Sequence, residues 1–490
     1  MAGKFHFYID RHTGIPDDPD HFSKGEPSEN ESHSQAHRDF RRGKGHLPHA
    51  GLNPSRSSTG VVWVTDRATE HGYLDDRNAW ANLGQGAPDV EDDIAGCFQR
   101  PSAIDLAVEA REYAPVAGIK PLREAVAKLY NEMHRKGKES QYTWENVAIV
   151  PGGRAGLIRV AAVLGSAYMS FFLPDYTAYN EMLSLFKNFV SIPVPLSADT
   201  DYQLDPGTIS QEIARGASII LTSNPRNPTG RVVKNPELAE IQRICRGRAT
   251  FVADEFYSGY NYTSGCDGST VSAAENVEDV DKDDVIIVDG LTKRFRLPGW
   301  RIAWVLGPKG ECHVAAKFGT NISRRKRGMP RSVNSVITNT GASIGSSGSY
   351  LDGGAAHCLQ QAAIPMLEPK LVRNEMACLQ KHFKEKRDYV MRRLSDIGFK
   401  FKYVPDSAFY IWLNLEGMPE PIRDGLSFFE ACLEEKVIVV PGIFFDLNPS
   451  HRRDLFDSPC HHFVRLSYGP KMEQLRKGCD GIERVVSKYS

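Results

Sequence analysis

The chain has 490 residues, 41% hydrophobic and 25% charged, with a formal net charge of -1. That is the profile of a soluble globular protein with room for two or more domains, and its balanced charge gives no footing for nucleic acid or an anionic membrane. No apolar run reaches bilayer-spanning length, and nine scattered cysteines with no CxxC pair fit reduced thiols in a cytoplasmic protein, not a disulfide framework or zinc site.

Residues 1–60 are rich in His, Asp, Ser, Pro, Gly and Arg, and seven of the fifteen histidines lie in the first fifty positions. Their spacing is irregular, so a polar arm that wraps a site or a neighbouring subunit is expected in preference to a metal site. The N-terminus lacks the apolar core of a secretory signal, and Asp10, Asp17, Asp18 and Asp20 disfavour a mitochondrial transit peptide. Ordered structure is expected from about Val61. Residues 80–89, WANLGQGAPD, read as a strand ending in a glycine turn, where Gly84 and Gly86 would let the backbone approach a ligand. Residues 102–110 read as a helix. A turn at Pro115–Gly118 leads into a second helix from about Pro121, with Leu122, Val126, Leu129 and Met133 as its apolar stripe. Tyr113, just before the turn, reads as a core or interface aromatic.

From 147 to about 310 short apolar strands alternate with helices, the signature of a mostly parallel sheet covered on both faces. VAIVPGGRAGLIRVAAVLG (147–165) is strand, glycine turn, helix. Gly152, Gly153 and Arg154 open that helix, where free N–H groups favour a phosphate, although any tight connection can use a Gly-Gly turn. YMSFFLPDYTAY (168–179) places Tyr176 and Tyr179 at a strand mouth, as stacking surface for a planar ligand or as core filler. In ASIILTSNPRNPTGRVV (217–233) a constrained Pro-rich turn presents Asn227, to a ligand oxygen or as a turn cap. ATFVADEFYSGY (249–260) ends an apolar strand in Asp254 and Glu255, which is costly unless the carboxylates are paired or sit at a site, and Tyr257 follows within reach.

The chain is organised around residues 288–304, VDGLTKRFRLPGWRIAW. Thr292 and Lys293 stand at a strand mouth, a Gly-Pro turn follows, and Arg301 precedes the next strand. A lysine partly buried among cations loses its proton readily and becomes a nucleophile; an arginine behind it suits phosphate. Together they suit an aldehyde-bearing phosphate held as a Schiff base, which is pyridoxal phosphate (PLP). A solvated basic loop is the alternative, since the segment holds four basic residues.

Residues 311–370 read as helical and loop-like. They include a Gly/Ser-rich stretch, 341–354, expected to be a mobile or interface loop. From about 369 a long amphipathic helix, short strands and a terminal helix read as a separate α+β domain. Arg465, flanked by Val464 and Leu466, needs an anionic partner, from a structural salt bridge or a substrate carboxylate.

NPRNPTG (224–230), ADEFYSGY (253–260), LTKRFRLPGWRIAW (291–304) and FVRLSYG (463–469) occur in an order that resembles the class I/II, fold-type I PLP-dependent aminotransferases, over roughly residues 80–490. The resemblance implies an α/β fold: a large domain (115–368) with a mostly parallel seven-stranded sheet between helices, and a smaller C-terminal α+β domain (369–490). Residues 80–114 would form the substrate-side segment and 1–79 a polar, partly irregular arm. It implies that Lys293 forms the aldimine with PLP and moves the substrate α-proton, and that Asp254 pairs with the pyridinium nitrogen. Tyr257 and Asn227 would bond the ring oxygen, and Tyr176 would stack on the ring. Gly152, Gly153, Arg154, Thr292 and Arg301 would hold the phosphate, with Tyr113 reaching the phosphate of the partner subunit in a homodimer. Arg465 would clamp the substrate carboxylate, with Gly86 along the substrate. There are departures: Gly290 stands where many members carry a phosphate-binding serine, Ser407 where a glycine is usual, and Arg154 where other polar residues are common.

The implied reaction moves an amino group from an α-amino acid to an α-keto acid. No arginine lies in 341–354, where dicarboxylate-specific members bind the distal carboxylate, so a neutral aromatic or aliphatic donor is expected. A PLP-dependent lyase, replacement enzyme or cyclase is the alternative; the family's cyclopropane-forming synthases share several motifs but carry a glutamate in the segment equivalent to LGQGAP, which is missing here. A non-catalytic ligand-sensing module is the remaining rival, and the first sixty residues show no helix-turn-helix pattern to support it.

Overall fold

Runs of β-branched and aromatic residues buried along most of their length become the inner strands of one large sheet. The computed structural model describes residues 60–90, 94–104, 106–164, 167–186, 189–309, 340–449 and 458–490; the arm up to residue 59 and the part of the 311–370 segment before residue 340 lie outside them. The short β1 (Ala81–Asn82) belongs to a separate pairing. The large sheet is made of β2 (Val147–Val150), β3 (Ala167–Leu173), β4 (Phe189–Pro195), β5 (Ile219–Ser223), β6 (Thr250–Asp254), β7 (Val285–Gly290) and β8 (Ala303–Leu306). Their order is β2-β8-β7-β6-β5-β3-β4.

β3 to β7 pair in parallel, whereas β8 runs antiparallel to both neighbours, β2 and β7. The C-terminal ends of β2, β3, β5, β6 and β7 therefore open on one edge, and the chain enters β8 at that same edge. Gly152, Tyr176, Asn227, Asp254, Lys293 and Arg301 all follow or precede these ends. Ligands of open α/β sheets bind outside the carboxyl ends of the strands, where connections diverge to either side.

The helix Lys120–His134 carries Pro121 in its first turn and buries Leu122, Val126 and Leu129. The helix Gly153–Leu164 starts directly at the β2 glycine turn. In the C-terminal region the helix Pro369–Ile397 ends at Gly398, whose left-handed backbone (φ 111°) caps it. β9 (Tyr410–Asn414), β11 (Val440–Pro441) and β12 (Phe463–Ser467) form an antiparallel sheet with β12 in the middle, and β10 (Val437–Ile438) pairs with β1.

Two expectations change. Residues 102–110 do not form an α-helix; a short 3-10 turn at Val108–Arg111 buries nothing, and Leu106 and Val108 face solvent, so no apolar face anchors a helix there. The Gly/Ser-rich segment is a helix, Thr340–Leu351, and not a loop. Its glycines are packing devices: a Cβ at Gly345 would stand 2.8 Å from the Ala117 Cβ, and one at Gly348 would overlap the Arg159 guanidinium, which is bound to Asp352. The order expected from about Val61 is met by a docked helix, Gly60–Glu70, whose Trp63 packs 5.5 Å from Phe429 and 5.2 Å from Phe444.

Gly118 closes the turn before the Lys120–His134 helix with φ +92°, and a Cβ there would overlap Ile149 in β2. Gly118→Ala combines a left-handed backbone with overpacking, and is expected to cost about 2–4 kcal/mol. The denaturant midpoint checks this; an unchanged midpoint would show that the turn can relax.

Candidate active site

The acid at the floor of the cleft is Asp254, the last residue of β6, buried between Ser223 of β5 and Val288 of β7 in register. The Tyr179 hydroxyl donates to its Oδ2 at 2.8 Å. Burial raises the carboxyl to about 7, against the Tyr179 bond, which lowers it. A carboxyl held there calls for a cationic or proton-bearing partner. Its neighbour Glu255 takes no part: it accepts from the Ala273 N–H at 2.6 Å, away from the cleft.

Lys293 lies in a four-residue helix, Leu291–Arg294, immediately after β7. That turn is pinned from behind. Arg294 pairs with Asp289 at 2.6 Å, both fully buried, and Asp289 also accepts from the Tyr130 hydroxyl (3.1 Å) and the Gly290 N–H (2.7 Å). Lys293 Nζ donates to the Gly86 carbonyl and lies 5.9 Å from the ring centres of Tyr257 and Phe409. Burial lowers its amine to about 7, helped by Arg465, Arg154 and Arg301 and opposed by Asp254. The receiving loop is shaped locally: Asn82 Oδ1 accepts from the N–H groups of Gly84 (3.1 Å) and Gln85 (3.0 Å).

At the start of the helix Gly153–Leu164, Gly152 has φ +93°, and a side chain there would overlap the Arg301 guanidinium. Arg301 Nη1 donates to the Pro298 carbonyl at 3.0 Å. The Thr292 hydroxyl is buried with no hydrogen-bond partner. Gly290 has no room for a side chain, since a Cβ would come within 2.6 Å of the Ala303 Cα across the β7–β8 pair. Arg154 is exposed at the rim, and its Nε donates to the Tyr176 hydroxyl at 3.1 Å. Tyr176 in turn packs edge-on to Tyr179, 5.5 Å between ring centres.

Opposite stands Arg465 of β12, 2% exposed. Its Nη1 donates to Asn227 Oδ1 (3.0 Å) and its Nη2 to the Gly84 carbonyl (2.6 Å), while Nε has no hydrogen-bond partner. Among the described residues it has no carboxylate ion-pair partner, so the structural salt bridge is not there. A buried guanidinium in that state can accept an anionic partner. Asn227 is presented by a loop tied down through Arg226, which donates to the Thr222 hydroxyl, the Phe172 carbonyl and the Pro174 carbonyl, each at 2.8 Å, and pairs with Asp175 at 3.4 Å.

The structure thus gathers Lys293, Asp254, Tyr257, Tyr176, Asn227, Arg465, Gly86, Gly152, Arg154 and Arg301 at one edge of the sheet. Gly153 joins them at the helix start, packed on Phe256. Tyr113 is not brought in: it is 99% exposed, which rules out the core reading within this chain. In the sequence Tyr179 reads only as stacking surface or core filler, and Tyr410 is unassigned. Tyr179 lay next to Tyr176 in the same motif, and its three-residue spacing would have put it on the adjacent turn. Tyr410, whose hydroxyl shares a 2.6 Å hydrogen bond with that of Tyr257, became legible only once β9 paired with β12. Among the described residues no group of three or more His, Cys, Asp or Glu could hold a metal ion, the eight described cysteines are free, and no helix is long and apolar enough to cross a membrane.

A lowered amine, a buried acid, a glycine and arginine cradle at a helix start and an orphaned threonine hydroxyl form a donor set that fits PLP. The comparisons agree. Residues 78–482 match the family model described as aminotransferase class I and II. A probable aspartate/prephenate aminotransferase of Aquifex aeolicus is 27% identical over 411 residues, 83% of this chain and 91% of the relative. An aspartate/prephenate aminotransferase of Thermus thermophilus is 27% identical over 78% of this chain and 85% of its own length. Among solved structures, the Thermus thermophilus aspartate aminotransferase with maleate superposes with a TM-score of 0.68 at 23% identity, covering 89% of this chain and all of the other. An aminotransferase from Mycobacterium tuberculosis gives 0.67 at 20% identity, over 90% of this chain. On the sheet, the cleft and the span of that match, the chain belongs to the class I and II aminotransferases, PLP-dependent enzymes of amino-group transfer.

Proposed function

We propose that Lys293 is the amine that carries PLP and the base that moves the substrate α-proton. The observation that carries this reading is the placement of Lys293 directly after β7, its Nζ on the Gly86 carbonyl, in a cleft shared with Arg465, Arg154, Arg301 and the buried Asp254; burial and these arginines lower its amine. Bound PLP supplies an electron-accepting ring for the charge that develops when the α-proton leaves. Asp254, fixed by Tyr179, would keep a proton on the ring nitrogen. Gly152, Gly153, Thr292 and Arg301 would hold the phosphate, with Arg154 at the rim, while Tyr257 and Asn227 would face the ring oxygen and Tyr176 the ring. Arg465 would bind the substrate α-carboxylate as a bidentate pair, with Gly86 leaving room for the substrate. Lys293 would take the proton from the substrate α-carbon and hold it within the cleft, beside the rings of Tyr257 and Phe409.

For the donor we propose a neutral aromatic or aliphatic α-amino acid. No arginine lies in 341–354, and Tyr257, Phe409, Tyr410 and Phe445 line the region around Lys293 and Arg465. A second reading, an aspartate-type donor, is favoured by the names of the relatives and by Arg154, a guanidinium whose hydrogen bond goes to the neutral Tyr176 hydroxyl. We also propose a homodimer, in which the exposed Tyr113 would reach the partner's phosphate site, and a cytoplasmic location, in keeping with cysteines scattered without paired spacing.

Lys293→Ala is expected to abolish the visible band of bound PLP and to lower turnover by more than about 1,000-fold. Only the unprotonated amine attacks the aldehyde, so the rate at which the cofactor-free protein takes up PLP is expected to rise through about pH 7 and level off above it. A rate still climbing at pH 9 would show an ordinary lysine. In a donor panel, phenylalanine or leucine is expected to exceed aspartate in kcat/KM; aspartate dominance that collapses in Arg154→Met would establish the second reading. Light scattering is expected to give twice the chain mass, and Tyr113→Ala to weaken PLP retention in that dimer; a monomer with full PLP affinity would contradict the shared site.

A further inference from the structure

Beyond lining the cleft, Tyr410 has no role in the scheme above, yet it touches three of its members. It begins β9, is fully buried, and sits across from Ser467 of β12. Arg465 pairs with Trp412 two residues along, so Tyr410 and Arg465 leave the same face of the small sheet. The Tyr410 hydroxyl shares a 2.6 Å hydrogen bond with the Tyr257 hydroxyl. The same oxygen stands 2.5 Å from where a Cβ at Gly86 would be, so it faces the substrate strip directly. The face of its ring lies 4.4 Å from the Arg465 guanidinium carbon, within cation–π range.

Arg465 is held in its plane by Asn227 and the Gly84 carbonyl, and Tyr410 supplies the third side. Tyr257 has its hydroxyl fixed by Tyr410, and its ring packs edge-on to that of Tyr410 at 5.3 Å. Burial raises the Tyr410 phenol while Arg465 and the Tyr257 bond pull it back, so the charge on Arg465 acts on the phenol pair. An anion that neutralises Arg465 changes that pull.

We propose that Tyr410 is a positioning residue that couples the carboxylate-binding arginine to the cofactor-facing tyrosine, its ring orienting Arg465 and its hydroxyl fixing Tyr257. This rests on the roles given to Arg465 and Tyr257 above. Binding of a carboxylate is thereby transmitted to the cofactor through one side chain.

The test uses the PLP-loaded protein and two unreactive carboxylates, 3-phenylpropionate and succinate, so that either donor class is covered. In the wild type a saturating carboxylate is expected to change the visible cofactor band at fixed pH. Tyr410→Phe keeps the ring, so carboxylate affinity is expected to stay within about threefold, while the band change falls to less than about half. Tyr410→Leu removes the ring face and is expected to weaken carboxylate binding about tenfold. In a Tyr257→Phe background, adding Tyr410→Phe is expected to change the band response no further. A Tyr410→Phe protein with the full wild-type band change, a wild-type band that ignores both carboxylates at saturation, or additive effects of the two substitutions would overturn the coupling while leaving Lys293 as the PLP amine. A wild type that forms no band with PLP would overturn the underlying reading and this one with it.

Discussion

The cleft holds more fixed positive charge than negative, and a lysine amine is enclosed within it. Arg465, Arg154 and Arg301 each act against a proton on Lys293, and Asp254 alone among the named groups acts for it. Burial is the larger cause of the lowered amine, and Coulomb repulsion, several times stronger at an effective interior dielectric than in water, adds to it, so the amine titrates near neutral pH. The excess charge has a second consequence. A doubly charged phosphate and a carboxylate substrate would together neutralise arginines that have no acidic partner among the described residues. On the proposed reading, the same imbalance adds to the effect of burial on Lys293 and favours anionic ligands in the cleft.

Holding like charges close together requires a stiff support, and buried ion pairs behind the site provide it. Asp289 and Arg294 bracket Lys293 in sequence and pair at 2.6 Å beneath it, with Tyr130 and the Gly290 N–H completing the carboxylate's hydrogen bonds. Asp175 and Arg226 do the same under the loop that carries Asn227. Buried pairs of this kind add little net stability but lose much if one partner is removed. Their value here is geometric: two turns at the sheet edge cannot shift independently of the strands that bear them.

Much of this was legible in the sequence because the reactive groups sit at the ends of apolar strands. Asp254 closing FVAD, Lys293 closing VIIVDGLT and Arg465 inside FVRLS are each out of place by burial alone, and burial is what a hydrophobic run foretells. What escaped detection depended on partners distant in the chain. Tyr410 belongs to an ordinary-looking apolar strand until its pairing with β12 puts it on the Arg465 face. The helix Thr340–Leu351 was hidden by composition, because glycine and serine normally mark loops; only the neighbours Ala117 and Arg159 reveal that small side chains are needed for close packing. The turn at 102–110 failed in the opposite way, with acceptable helix composition but no core to bury against.

The central claim, that the depressed amine of Lys293 is the attachment point for PLP, is open to one direct measurement. Borohydride reduction of the PLP-loaded protein, followed by peptide mass spectrometry, should place a single stoichiometric pyridoxyl group on Lys293. A label spread over surface lysines, or Lys293 recovered unmodified, would contradict the account.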